Sequence, residues 1–152
     1  MNRGNIVALL HALSGAGALV AGLLTKGGFG GPGDVFKPLG FVVFAVGMLL
    51  FAYTVIFLRE AFFGNVEPVT ENLISDGPYR WVRHPLYLSM FITIIGLSIG
   101  MRSIWGLALA LGVFLPFTVL RARLEEASLR DKHGPEWEEY AGRTHFLIPL
   151  IF

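Results

Sequence analysis

Cysteine is absent from the 152-residue sequence, which excludes a disulfide scaffold, a cysteine nucleophile and a thiolate metal site. Charge is scarce too: Asp, Glu, Lys and Arg make up 15% of residues, against about 25% in an ordinary soluble domain. The signs nearly cancel, 12 Lys and Arg against 11 Asp and Glu, so there is no global basic field to attract nucleic acid. Histidine is confined to positions 11, 84, 133 and 145, with no helical pair to start a metal site. What fills the chain instead is apolar: 54% hydrophobic residues, 13 Phe and a mean hydropathy of +0.63. That balance excludes a disordered chain and makes a bilayer the solvent for a single domain, 1–152.

Four apolar segments stand out, at about 5–25, 35–58, 86–100 and 103–120. A span needs roughly 20 apolar residues, so the first, second and fourth are long enough and the third is short. Only Met101 and Arg102 separate the third from the fourth, so the two read as a tight helical hairpin. Lys37-Pro38 places a proline in the first turn of the second helix, where it is tolerated. Ser14, Ala18 and Gly22 form a small-residue stripe that permits close helix packing. His11, on the same segment, is expected to bond a neighbouring backbone carbonyl. Ala16-Gly17-Ala18 looks like a signal-peptide cleavage site, but the apolar run continues past it, which favours a retained span.

With the N-terminus inside, the cytoplasmic segments hold Arg3, Arg59, Arg80, Arg83, Arg121, Arg123, Arg130, Lys132 and Arg143, and the outer loops hold Lys26, Lys37 and Arg102. Nine cations against three place both termini in the cytoplasm. The glycine-rich loop 27–33 lacks a following Lys-Ser/Thr and a preceding strand, so it is a connector and not a phosphate loop. The expected fold is an all-α integral membrane protein of four transmembrane helices with a helical C-terminal tail on the cytoplasmic face.

The polar groups collect in two stretches, 71–87 and 121–149. In the first, Asp76-Gly77-Pro78 signals a turn, and Pro85 opens the third helix with His84 at its N-cap. A helix N-terminus there offers free amides to an anion, and Tyr87 lies in the same turn. In the second, Arg121 and Glu125 are i,i+4 neighbours on a helix that continues past the membrane. Gly134-Pro135 then starts a short helix whose Glu136, Glu138 and Glu139 form a solvated first turn, with Trp137 and Tyr140 as an interfacial aromatic pair. Arg80, Arg123, Arg130 and Lys132 read as anchors to lipid phosphates.

Gly77-Pro78-Tyr79, Arg83-His84-Pro85-Leu86-Tyr87, the run Arg121…Glu125-Glu126, Gly134-x-Glu136-Trp137-x-x-Tyr140 and Pro149 follow one another as in a known family. Together they resemble the isoprenylcysteine carboxyl methyltransferases and the related phospholipid N-methyltransferases, over roughly 72–149. The resemblance implies a multi-pass enzyme that binds S-adenosylmethionine at the cytoplasmic membrane face without a Rossmann domain. By motif, Tyr79, His84, Pro85, Leu86 and Tyr87 line the cofactor site, with Glu71, Asn72, Leu73 and Ile74 against it. Glu125 holds the cofactor and Arg121 faces the acceptor. The acceptor is expected to be a lipid or amphipathic molecule. A carboxylate acceptor needs no base, whereas an amine must first lose a proton, to Glu126 or His84. The alternative is a non-catalytic small membrane protein, either an assembly subunit or a lipid-binding relative.

Overall fold

Long apolar runs become long helices because only a helix satisfies its own backbone inside lipid. A computed structural model describes residues 3–28, 33–58 and 73–148. Its helices are α1 (Arg3–Leu24), α2 (Gly33–Phe57), α3 (Pro85–Gly100), α4 (Ile104–His133) and α5 (Pro135–Arg143), with a 3-10 turn at Gly77–Arg80. α1, α2 and α4 are long and apolar enough to cross a membrane, and α3 is the shorter apolar helix. Their outward faces carry bare apolar side chains such as Leu24, Leu49 and Ile56, at 76%, 70% and 66% exposure. So much exposed hydrocarbon has a place in lipid but not in water. The chain is an all-α, multi-pass integral membrane protein.

The expected hairpin is present. α3 ends at Gly100, Arg102 turns the chain with φ 56°, and the Ser103 hydroxyl caps α4 by accepting from Gly106 N at 2.9 Å. Tight packing follows from small residues. A side chain on Gly40 would run into the backbone of Gly100, and one on Gly96 into the backbone of Phe44, so α2 and α3 touch backbone to backbone. Such approach maximises dispersion contact, which drives helix association where lipid is as apolar as the helices themselves. The stripe on α1 behaves likewise: Ala18 is wholly buried and Gly22 faces Leu97 and Ser98 of α3.

Two expectations need correction. Pro38 lies inside α2 and not in its opening turn, because the helix already starts at Gly33. Trp137 and Tyr140 are not an interfacial pair: they are buried, at 1% and 3% exposure, and pack edge to face at 5.5 Å. The reason is that α5 folds back onto the body after Gly134 (φ 54°) ends α4. Tyr140 then donates its hydroxyl to the Tyr79 carbonyl at 2.9 Å. The segment after α5 is laced to the loop before α3, with Arg83 N donating to His145 O at 2.8 Å and His145 N to Trp81 O at 3.1 Å.

Within α4, residues Ala110–Phe114 form a π-helical turn before the α-helix resumes at Leu115. Phe114 is fully buried there, close enough to α1 that a Cβ on Gly15 would lie 3.0 Å from its ring.

Candidate active site

Pro85 occupies the first position of α3 and forces His84 out of helical geometry, to φ −125° and ψ 57°. The His84 side chain makes no capping bond to this helix, whose Leu88 N donates to the His84 carbonyl at 3.0 Å. Tyr87, in that turn, reaches α4. Its hydroxyl donates to Glu125 Oε2 at 2.8 Å and accepts from Arg121 Nε at 2.9 Å. Arg121 and Glu125 are one turn apart, yet no direct ion pair joins them among the described residues. The phenol oxygen of Tyr87 links them. The Tyr87 ring is held on two sides, stacked on His84 with centroids 5.6 Å apart and edge to face with His11 at 5.2 Å.

The two adjacent glutamates face different surroundings. Glu125 is exposed, whereas Glu126 is buried. Arg83 Nε donates to Glu126 Oε1 at 2.6 Å, and His84 Nε2 faces the same oxygen at 3.4 Å. Arg83 also donates through Nη1 to the carbonyls of Ala141 and Thr144, at 2.9 and 2.5 Å. A buried carboxylate is tolerable because it is paired in this way. His84 Nε2 itself is buried and has no aligned hydrogen bond.

Tyr79 lies on the 3-10 turn beside this cluster. Burial raises its hydroxyl well above the ordinary tyrosine range, and the negative charge of Glu125 raises it further. Burial also pushes Tyr140 up to about 12. Both phenols are therefore neutral donors at physiological pH.

The structure thus gathers Tyr79, His84, Pro85, Tyr87, Arg121, Glu125 and Glu126 around the N-terminal end of α3. Leu86 is half-buried in the same turn, and Leu73 and Ile74 are half-buried in the irregular segment before Asp76. Glu71 and Asn72 lie outside the described residues. Two residues have contacts here that the sequence did not show. Arg83 ties the site to the tail; the carbonyls at the end of α5 needed donors, but nothing local shows which cation supplies them. His11 does not bond a backbone carbonyl: its Nε2 meets Thr118 Oγ1 of α4 at 3.1 Å. Arg123, read as a lipid anchor, also stacks its guanidinium 4.7 Å above the Phe146 ring.

The residues around Tyr87 and Glu126 fall inside the segment 36–136, which matches the profile of the phospholipid methyltransferases (PEMT). That segment is two thirds of the chain. The chain belongs to the phospholipid methyltransferase family. Individual relatives match the chain over shorter stretches. The chain is 39% identical over 85 residues to the nickel-cobalt-cadmium resistance protein NccN of Alcaligenes xylosoxydans xylosoxydans, covering 53% of this chain and 37% of the relative. It is 35% identical over 88 residues to human protein-S-isoprenylcysteine O-methyltransferase, covering 57% and 31%. With the Schizosaccharomyces pombe enzyme of the same name it shares 34% over 79 residues, covering 52% and 34%. The chain is matched over about a third of the length of these relatives. α1 precedes the family segment altogether, and the end of α5 follows it.

Proposed function

We propose that the chain transfers the methyl group of S-adenosylmethionine to a lipid or amphipathic acceptor at the cytoplasmic face of the membrane. The observation that carries this reading is the Tyr87 hydroxyl, which joins Arg121 and Glu125 at the start of α3. When bound, S-adenosylmethionine supplies an electrophilic methyl group on a sulfonium centre. The residues present suit its other groups. The exposed Glu125 can pair with the ammonium. The amides at the start of α3 can receive the carboxylate. Tyr79 offers a π-face to the sulfonium cation, worth about 0.5–2 kcal/mol. Leu73, Ile74, Pro85, Leu86, Glu71 and Asn72 are assigned to the site by motif; Leu73, Ile74 and Leu86 are half-buried and Pro85 is fully buried.

Methyl transfer is an in-line displacement, so the protein contributes positioning and exclusion of water. Arg121 orients the acceptor. A carboxylate acceptor has no proton to lose. An amine does, and His84 takes the role of base: Glu126 Oε1 already accepts from Arg83 at 2.6 Å, which makes that carboxylate a poor proton acceptor and a good orienter of His84. The excess of cations over the inner segments supports both termini in the cytoplasm, which puts the site within reach of a water-soluble cofactor. The acceptor reaches it sideways through the lipid.

The test is methyl transfer from labelled S-adenosylmethionine in liposomes of native lipid extract, followed by fractionation of the labelled product. Label in a lipid or amphipathic fraction is expected, with Arg121→Ala reducing the rate about 100-fold and leaving cofactor affinity within about threefold. If Arg121→Ala lost cofactor affinity as severely as Glu125→Ala, the division of roles would be wrong.

A further inference from the structure

His11 sits on α1, outside the segment that defines the family, in the midst of a membrane helix where a polar side chain is costly and marks function by default. It is 5% exposed. Its hydrogen-bond role can be derived. The Thr118 hydroxyl donates to the Phe114 carbonyl at 2.8 Å, so its oxygen is left to accept, and His11 Nε2 is the donor at 3.1 Å. One face of the imidazole stacks on Phe114, with centroids 4.9 Å apart and planes inclined by 24°. The other contact is with Tyr87, edge to face at 5.2 Å. Phe114 ends the π-helical turn of α4, a feature that concentrates at functional sites. The imidazole is therefore fixed by one hydrogen bond and one stack, and its other ring contact among the described residues is with the ring whose hydroxyl joins Arg121 to Glu125.

We propose that His11 is a positioning residue of the cofactor site: through its ring contact it sets the orientation of Tyr87 and thereby the placement of Arg121 and Glu125. This rests on the methyl-transfer reading above. The consequence is that α1, which the family segment does not include, is part of the site's working machinery. Tyr87 is trapped between His84 from its own loop and His11 from α1, and removing either wall lets the ring rotate away from the line between Arg121 and Glu125.

Calorimetric titration of the full detergent-purified chain with S-adenosylhomocysteine tests this, because it reads affinity and binding-competent fraction separately. His11→Ala is expected to weaken the dissociation constant about tenfold at an undiminished stoichiometry. His11→Phe keeps a ring against Tyr87 and leaves the Thr118 hydroxyl bonded to Phe114, so it is expected to stay within about threefold of the unsubstituted chain. In a Tyr87→Phe background, which has no hydroxyl to place, His11→Ala should add less than about twofold. A lowered stoichiometry with unchanged affinity would mean that His11 only supports folding, and would overturn the proposal. So would a full tenfold loss persisting in the Tyr87→Phe background, or a His11→Phe variant as impaired as His11→Ala. Absence of binding by the unsubstituted chain would instead sink the functional reading, and this inference with it.

Discussion

Replacing Arg83 with methionine keeps an unbranched, largely aliphatic stem and removes every polar contact of the side chain, leaving the backbone bond from Arg83 N to His145 O in place. Glu126 then loses its 2.6 Å partner while remaining buried, and the carbonyls of Ala141 and Thr144 lose a donor. Removing one member of a buried ion pair costs about 3–5 kcal/mol, because the other charge is left in low dielectric. Here the two side chains keep 14% and 11% exposure, so some solvent screening persists and the lower end, about 3 kcal/mol, applies. For a chain of this size each kcal/mol corresponds to about 2–4 °C, so the midpoint of thermal unfolding in detergent should fall by about 6–12 °C. Arg83→Met combined with Glu126→Leu removes both charges and should recover at least half of that loss. Limited proteolysis supplies the structural counterpart: cleavage after α5 should accelerate in Arg83→Met, since Arg83 ties that segment to the start of α3. A fall of less than about 2 °C, or a double variant less stable than the single one, would refute the idea that Arg83 is the clamp between site and tail.

The backbone contact of α2 with α3 gives a steric prediction. Gly96→Val would drive a side chain into the backbone of Phe44 and should cost about 3 kcal/mol or more, read as lost monodisperse protein, whereas the exposed Gly112, with open space around its Cβ, should tolerate valine. Tyr140 gives a pH prediction. Burial raises its pKa from the ordinary 10.0 to about 12, so above pH 10 the unfolded chain loses this proton before the folded one does. The stabilisation is complete below pH 10 and is lost as pH rises towards 12. Tyr140→Phe should cost about 1 kcal/mol at neutral pH, from the lost bond to the Tyr79 carbonyl, and should show a shallower alkaline decline of the unfolding midpoint. Equal slopes for the two proteins would contradict the assignment.

Hydropathy made the helices legible because the bilayer imposes a length on each span, and Met101-Arg102 left room for nothing but a hairpin turn. The candidate site was legible for a different reason. Taken singly, Tyr79 and Tyr87 read as an aromatic belt, His84 as a cap and Arg121–Glu125 as a plain helix ion pair; what marks them is their joint occurrence, in two local halves, in the order of the family the sequence resembles. What spacing could not show was the contact between the halves, made by the Tyr87 hydroxyl, or the inward partners of Arg83. Both are pairings between residues tens of positions apart. One helix alone offers His11 no partner but nearby backbone; Thr118 becomes available only when α1 and α4 pack. The burial of Trp137 and Tyr140 has the same origin, since their helix looks amphipathic and interfacial until Gly134 turns it back against the body.

Titration of the detergent-purified chain with S-adenosylhomocysteine, alongside Glu125→Ala, tests the central proposal most directly. Saturable one-to-one binding that is lost in Glu125→Ala is the expected result, because the proposal assigns the cofactor's ammonium to the exposed carboxylate beside Tyr87. No binding in lipid-containing detergent, or binding that Glu125→Ala leaves intact, would contradict it.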